Sequence, residues 1–161
     1  MIRPFEPADE DELIEVWLAS TIPGQSFLPE SHWRAEEPEI RELIPSAEIW
    51  VIRKDGQLVA FIALLGDLIG GLFTHPDHQG QGHGRALVEH ARSRFDPLFV
   101  EVFEANEKAM AFYRSRGFVE YDRRIDEGSG LTQLILRMES DRPPVTTPRG
   151  RVSGLRGSGR A

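Results

Sequence analysis

Residues 68–95 constrain this chain more than any other stretch. An apolar run over 68–73 reads as a buried strand, and a helical pattern occupies 85–95. Between them lies the turn Thr74-His75-Pro76-Asp77-His78-Gln79-Gly80-Gln81-Gly82-His83-Gly84. Its glycines at alternate positions leave backbone N–H groups free of side-chain cover. The first turn of the following helix adds unpaired donors and the positive end of the helix dipole. Strand, bare turn and helix N-terminus in that order form a ready site for an anion, above all a phosphate or pyrophosphate.

Two familiar loops of this kind do not fit. A P-loop needs a Lys directly after its last glycine, and here Arg85 follows Gly84. A dinucleotide loop needs Gly-x-Gly-x-x-Gly, but counting on from Gly82 and Gly84 reaches Leu87. The same missing glycine speaks against a nucleotide-dependent oxidoreductase, although Glu101 and Glu104 lie near the spacing of a ribose-binding acid. What stands in the chain is Gln79-x-x-Gly82-x-Gly84.

Periodicity predicts an α/β chain. Residues 2–5 suggest a short strand, and Pro7 with the acids up to Glu12 opens a helix with the apolar stripe Leu13, Ile14, Trp17 and Leu18. Residues 20–29, punctuated by Pro23-Gly24, read as a loop, and 29–44 as a second helix closed by Pro45. Strands follow at 48–53 and 57–65 around the turn Lys54-Asp55-Gly56, then at 68–74. After the helix at 85–95 come a strand at 97–103 and a helix at 107–116, which Gly117 caps in the left-handed conformation. Strands at 118–122 and 131–138 end the pattern. The order β-α-α-β-β-β-α-β-α-β-β mixes a meander with crossover helices, so a mixed sheet (α+β) is expected in one domain over 1–140.

A second motif supports the first. Val100-Glu101-Val102-Phe103-Glu104-Ala105-Asn106 leads into Ala109-Met110-Ala111-Phe112-Tyr113 and ends at Gly117-Phe118. Together the two motifs and the element order resemble the GNAT superfamily of acyl-CoA-dependent N-acyltransferases. Within it the chain is most similar to bacterial ribosomal-alanine and protein-lysine N-acetyltransferases. The latter share an early helix-loop with Ser20-Thr21, Phe27-Leu28 and an aromatic near Trp33.

The resemblance implies acetyl transfer from acetyl-CoA to a primary amine, by direct attack in a ternary complex. The acceptor would be a protein lysine, a protein N-terminus or a small amine. Loop residues Gln79, Gly80, Gln81, Gly82, His83, Gly84 and Arg85 would hold the pyrophosphate. Backbone groups of Leu72, Phe73 and Thr74 would hold the thioester carbonyl, with Asn106 and Phe112 along the pantetheine arm. Tyr113 would protonate the leaving thiolate, a task that suits a phenol.

Several residues keep two readings. Glu101 shares a strand face with Phe99 and Phe103, where lost hydration would make it a base; otherwise it is a strand Glu that reaches solvent or an Arg. Tyr113 otherwise is a half-buried core Tyr. Asn106 is well placed as a helix N-cap whatever else it touches. Gln79 orients the loop or is a solvated turn residue, and Arg85 pairs with phosphate or lies exposed. Trp33, Phe27 and His32 line an acceptor pocket or pack the early helices. His75, His78 and His83 fit no zinc spacing, so no metal is expected. A non-catalytic acyl-CoA sensor would need the loop but not Tyr113.

Composition narrows the partners. Residues 1–140 carry 14 Lys and Arg against 25 Asp and Glu, which argues against nucleic acid. Residues 141–161 carry five Arg and one Asp among Pro, Gly, Ser and Thr, and are expected to be disordered. There is no cysteine, no run of membrane-spanning length and no leader-like N-terminus, so a cytoplasmic protein, monomeric or homodimeric and without membrane partners, is expected.

Overall fold

The computed structural model describes residues 1–140; the extension expected to be disordered, 141–161, lies outside them. Its elements are β1 (Ile2–Pro4), α1 (Glu10–Gly24), α2 (Glu30–Ala35), α3 (Glu37–Leu43), β2 (Glu48–Lys54), β3 (Gln57–Leu65) and β4 (Leu68–Thr74). They continue with α4 (His83–Arg94), β5 (Leu98–Phe103), α5 (Glu107–Ser115), β6 (Val119–Ile125) and β7 (Thr132–Met138). The predicted order is reproduced, with one helix more.

That helix is a correction. The expected single helix over 29–44 is broken at Glu36 into α2 and α3. Pro38 is the cause: it has no N–H to donate, and its ring would crowd the carbonyl of Arg34 in a continuous helix. In the first turn of a new helix the same residue is tolerated. A second correction concerns 20–29. There α1 runs on to Gly24, with Pro23 inside its last turn, so only 25–29 is loop. Thr21 is buried and the Ser20 hydroxyl donates back to the Val16 carbonyl at 2.8 Å, so packing carries the helix past the loop signal. β6 also runs further than expected, because its register with β7 continues to Ile125↔Thr132.

The sheet has the order β1-β2-β3-β4-β5-β7-β6. All neighbours are antiparallel except β4 and β5. This parallel pair meets only at Leu68↔Phe99 and Ile69↔Val100. Beyond it, β4 stays with β3 up to Ala60↔Thr74, and β5 stays with β7 up to Phe103↔Gln133. The two strands therefore splay, and the sheet opens between 70–74 and 101–103. A register shift at Ala63/Leu64 adds to the bend of β4.

One face of the sheet is packed by α4 and α5. Leu87, Val88, Ala91, Met110 and Tyr113 meet Ile62, Ile69, Val100, Val102 and Leu136 there. The other face carries α1 to α3, with Leu13, Trp17 and Trp33 against Val51, Phe61, Phe73 and Phe103. Each such buried apolar side chain contributes about 1.5–3 kcal/mol. Asp9 ties the margin of this layer together. It is buried, accepts from the Glu6 N–H at 2.8 Å, and takes bidentate contacts from Arg3 at 2.9 and 3.0 Å and a further one from Arg53 at 3.0 Å. Burial pushes its carboxyl up, but Arg3, the Glu6 amide and Arg53 outweigh this and hold it below its ordinary value.

Candidate active site

Where β4 has parted from β5, its last residues Leu72, Phe73 and Thr74 line a cleft of about 780 Å³. Its walls come from both faces of the sheet. Ser20, Pro23, Gly24 and Gln25 at the end of α1 line one part; the glycine-rich turn with α4 and α5 lines the rest. The cleft thus passes through the sheet, which two parallel strands that part company make possible. A long donor threaded from the loop and an acceptor arriving past α1 would meet at the split.

The turn has the form its glycines imply. Gly80 and Gly82 have φ of +77° and +87°, and Gly82 is the N-cap of α4 without a side-chain cap. The leading N–H groups of α4 have no partner within the helix and belong to the cleft wall. Gln79 fastens the turn: its amide donates to the Thr74 carbonyl at 3.1 Å and accepts from Lys108 at 3.2 Å. Gln81 accepts from Lys54 at 3.2 Å. Both lysines of the chain therefore reach this turn. His83 is held below its ordinary pKa, first by burial and then by Lys54 and His78. Gly84 leaves room for Phe112, whose ring lies 3.5 Å from where a Cβ would stand.

Of the residues singled out in the sequence, Leu72, Phe73, Thr74, Gln79, Gly80, Gly82, His83, Gly84, Arg85, Asn106, Phe112 and Tyr113 line the cleft. Gln81 does not line it and holds the loop from outside. Asn106 is an N-cap, accepting from the Ala109 N–H at 3.1 Å. Trp33 is fully buried against Phe27 and Phe103, and His32 pairs with Glu36 at 2.9 Å. These residues pack the early helices. Trp33 acts on the cleft from behind, by donating to the Gln25 carbonyl at 3.1 Å. Ser20, Pro23 and Gln25 also line the cleft; they belong to the segment 20–33 that the sequence offers as an acceptor loop without singling out residues. Lys108 lines it too, and no sequence signal pointed to it.

Tyr113 is 1% exposed, and its hydroxyl makes no hydrogen bond although it sits on the cleft wall. Burial raises its pKa, so the phenol stays protonated. A buried hydroxyl without a partner costs stability, which a reacting group would recover. Glu101 is fully buried and does not line the cleft. It is the first β5 residue beyond the last pair with β4. Strand alternation sets it on the face of Phe103, opposite Val100 and Val102. Its carboxylate forms an ion pair with Arg124 of β6 rather than an aligned hydrogen bond. The structure thus pairs Glu101 with an Arg and leaves its carboxylate away from both the cleft lining and open solvent.

Comparison with known proteins agrees with this geometry. Residues 45–120 match the family model described as an acetyltransferase (GNAT) domain. The chain is 32% identical over 120 residues to the peptidyl-lysine N-acetyltransferase YiaC of Escherichia coli K12, covering 73% of this chain and 82% of that protein. The solution structure of apo-form YjaB from Escherichia coli superposes with a TM-score of 0.77 at 34% identity, covering 85% of this chain and 95% of that one. The ribosomal-protein-S18-alanine N-acetyltransferase of Escherichia coli shares the fold, with a TM-score of 0.64 at 21% identity over 92% of this chain and 99% of that one. With a splayed parallel pair, a glycine-rich turn at the start of α4 and relatives of this identity and coverage, the chain belongs to the GNAT acetyltransferases.

Proposed function

We propose that residues 1–140 form an N-acetyltransferase domain that moves an acetyl group from acetyl-CoA to a primary amine, with the side chain of a protein lysine as acceptor. The observation that carries this is the cleft itself. It joins a glycine-rich turn suited to phosphate, the edge of β4 where that strand has parted from β5, and an unpartnered phenol in one passage through the sheet. Acetyl-CoA is the donor substrate. Its pyrophosphate fits the turn from Gln79 to Arg85, with Lys108 nearby as a counter-charge. The pantetheine arm fits along the β4 edge between Asn106 and Phe112, and backbone N–H groups around Leu72, Phe73 and Thr74 face the thioester oxygen.

An alkylamine with a pKa near 10 arrives as ammonium. It must give one proton to a base, for which Glu101 is the candidate, before its lone pair can form the N–C bond. As the C–S bond breaks, sulfur takes a proton from Tyr113, and the phenol regains one from the nitrogen. The products are the amide and the free thiol, with one proton left on Glu101 for solvent. Positioning both substrates in one cleft supplies much of the rate.

The test is thiol release from acetyl-CoA against a panel of lysine peptides, peptides with free N-terminal alanine, and small amines. Release that depends on lysine peptides supports the reading. Tight binding of acetyl-CoA with no release across the panel would leave an acyl-CoA sensor instead.

A further inference from the structure

Glu101 poses a problem that the proposed function leaves open. It is fully buried, yet a base must be reached by the acceptor. One group that contacts its carboxylate is itself partly exposed, and it comes from the edge of the sheet. Every residue of β6 is exposed except Arg124, whose side chain is 26% exposed and turns inward across β7 to the carboxylate. A buried carboxylate needs a partner, and this guanidinium provides one. The same partner disables the base, because it fills the place beside the carboxylate from which a proton would come.

We propose that Arg124 is a placeholder for the acceptor's ammonium group, which it must yield to before Glu101 can act. The inference rests on the acetyl-transfer reading. The exchange is cation for cation, so Glu101 stays paired in both states and no buried charge is abandoned. The two cations differ in one respect. Guanidinium does not surrender its proton in a protein, whereas an ammonium does. Arg124 therefore occupies Glu101 without giving it a proton to take, and a protonated amine makes it a base. A neutral nucleophile such as water or an alcohol offers no charge to displace the guanidinium. The placeholder thus selects cationic acceptors and protects the bound thioester from hydrolysis. Position supports the exchange. β6 is an edge strand with a register shift between Glu120 and Asp122, and the Arg side chain spans a whole strand on a flexible stem.

The experiment compares the native chain with Arg124→Ala, and with Arg124→Gln should the alanine variant fold poorly. It uses saturating acetyl-CoA and a lysine peptide. A placeholder taxes acceptor binding by the fraction of time it occupies the site, so its removal should lower the peptide KM roughly tenfold. Hydrolysis of acetyl-CoA without amine should rise. Added methylguanidinium should compete with the peptide in Arg124→Ala and restore the native KM, while changing the native chain little. A peptide KM that is unchanged or higher in the variant, or a loss of kcat that methylguanidinium does not touch, would overturn the inference and leave acetyl transfer standing. A native chain that turns over no amine would overturn both.

Discussion

Tyr113 places a chemical demand and a stability cost in one atom. Its hydroxyl is buried, faces the cleft and has no hydrogen-bond partner, while its ring packs against Phe112 and Phe118 at centroid distances of 5.2 and 5.3 Å. Replacing it by Phe keeps the ring and removes only the unsatisfied group. Tyr113→Phe should therefore leave the thermal midpoint unchanged or slightly raised, because a buried unpaired polar atom is removed. Amine-dependent thiol release should fall by roughly 10²- to 10⁴-fold, the usual range for one acid–base group. Acetyl-CoA binding, followed by titration, should persist. A large loss of stability alongside the lost activity would mean that the hydroxyl is a structural atom. The sequence carried Tyr113, Asn106 and the glycine turn, since each sits in a contiguous motif. It left the surroundings of Glu101 open, because Arg124, the residue its carboxylate meets, lies 23 positions away on another strand.

The turn between β4 and α4 works through its backbone. Gly82 has φ of +87°, and a Cβ there would meet nothing within 4 Å. Gly117, with φ of +99°, caps the end of α5 away from the cleft lining and would place a Cβ 3.5 Å from Met138. Alanine at either position costs about 1–2 kcal/mol for the left-handed conformation. The two variants should thus lose similar stability in denaturant titrations. Only Gly82→Ala should weaken acetyl-CoA binding, because relief of its strain turns the N–H groups of the loop and of α4 away from the cleft. Equal binding by both variants would remove the turn from the donor site. The helices before β2 were the least legible elements. Pro38 breaks the expected helix at a point the apolar pattern crosses smoothly, and buried Thr21 carries α1 past Ser20. The first outcome follows from the missing N–H and the ring of Pro38, which an apolar pattern does not register, and the second from the burial of Thr21, which local propensity does not record.

Across the whole molecule, charge is used to hold the first layer of helices to the sheet. Asp9 joins β1 through Arg3 and β2 through Arg53, and Arg53 also reaches Glu12 at 2.7 Å. Asp9→Ala should cost about 3 kcal/mol at neutral pH, at the low end for breaking a buried pair because both guanidiniums keep some contact with solvent. The sign of the pH dependence follows from the lowered carboxyl. The contribution of Asp9 is fully present above its unfolded value near 3.8 and is lost as the pH falls through the lower folded value. The gap in stability between native and variant chains should therefore be constant from neutral to mildly acidic pH and close below that range. Thermal midpoints measured across pH check this. A gap that closes near neutrality would assign the effect to another group.

The glycine-rich turn, the order of strands and helices and the Asn106–Tyr113 motif could all be read along the chain, for a common physical reason. Backbone amides in a bare turn, an N-cap and a helix face are built from neighbours in sequence, so local composition specifies them. The opening between β4 and β5 and the pairing of Glu101 with Arg124 had no such signature. Each arises where segments far apart in the chain are brought together by burial of the two apolar faces of the sheet. A strand's own pattern shows which side of it is apolar, but not where its neighbour leaves it.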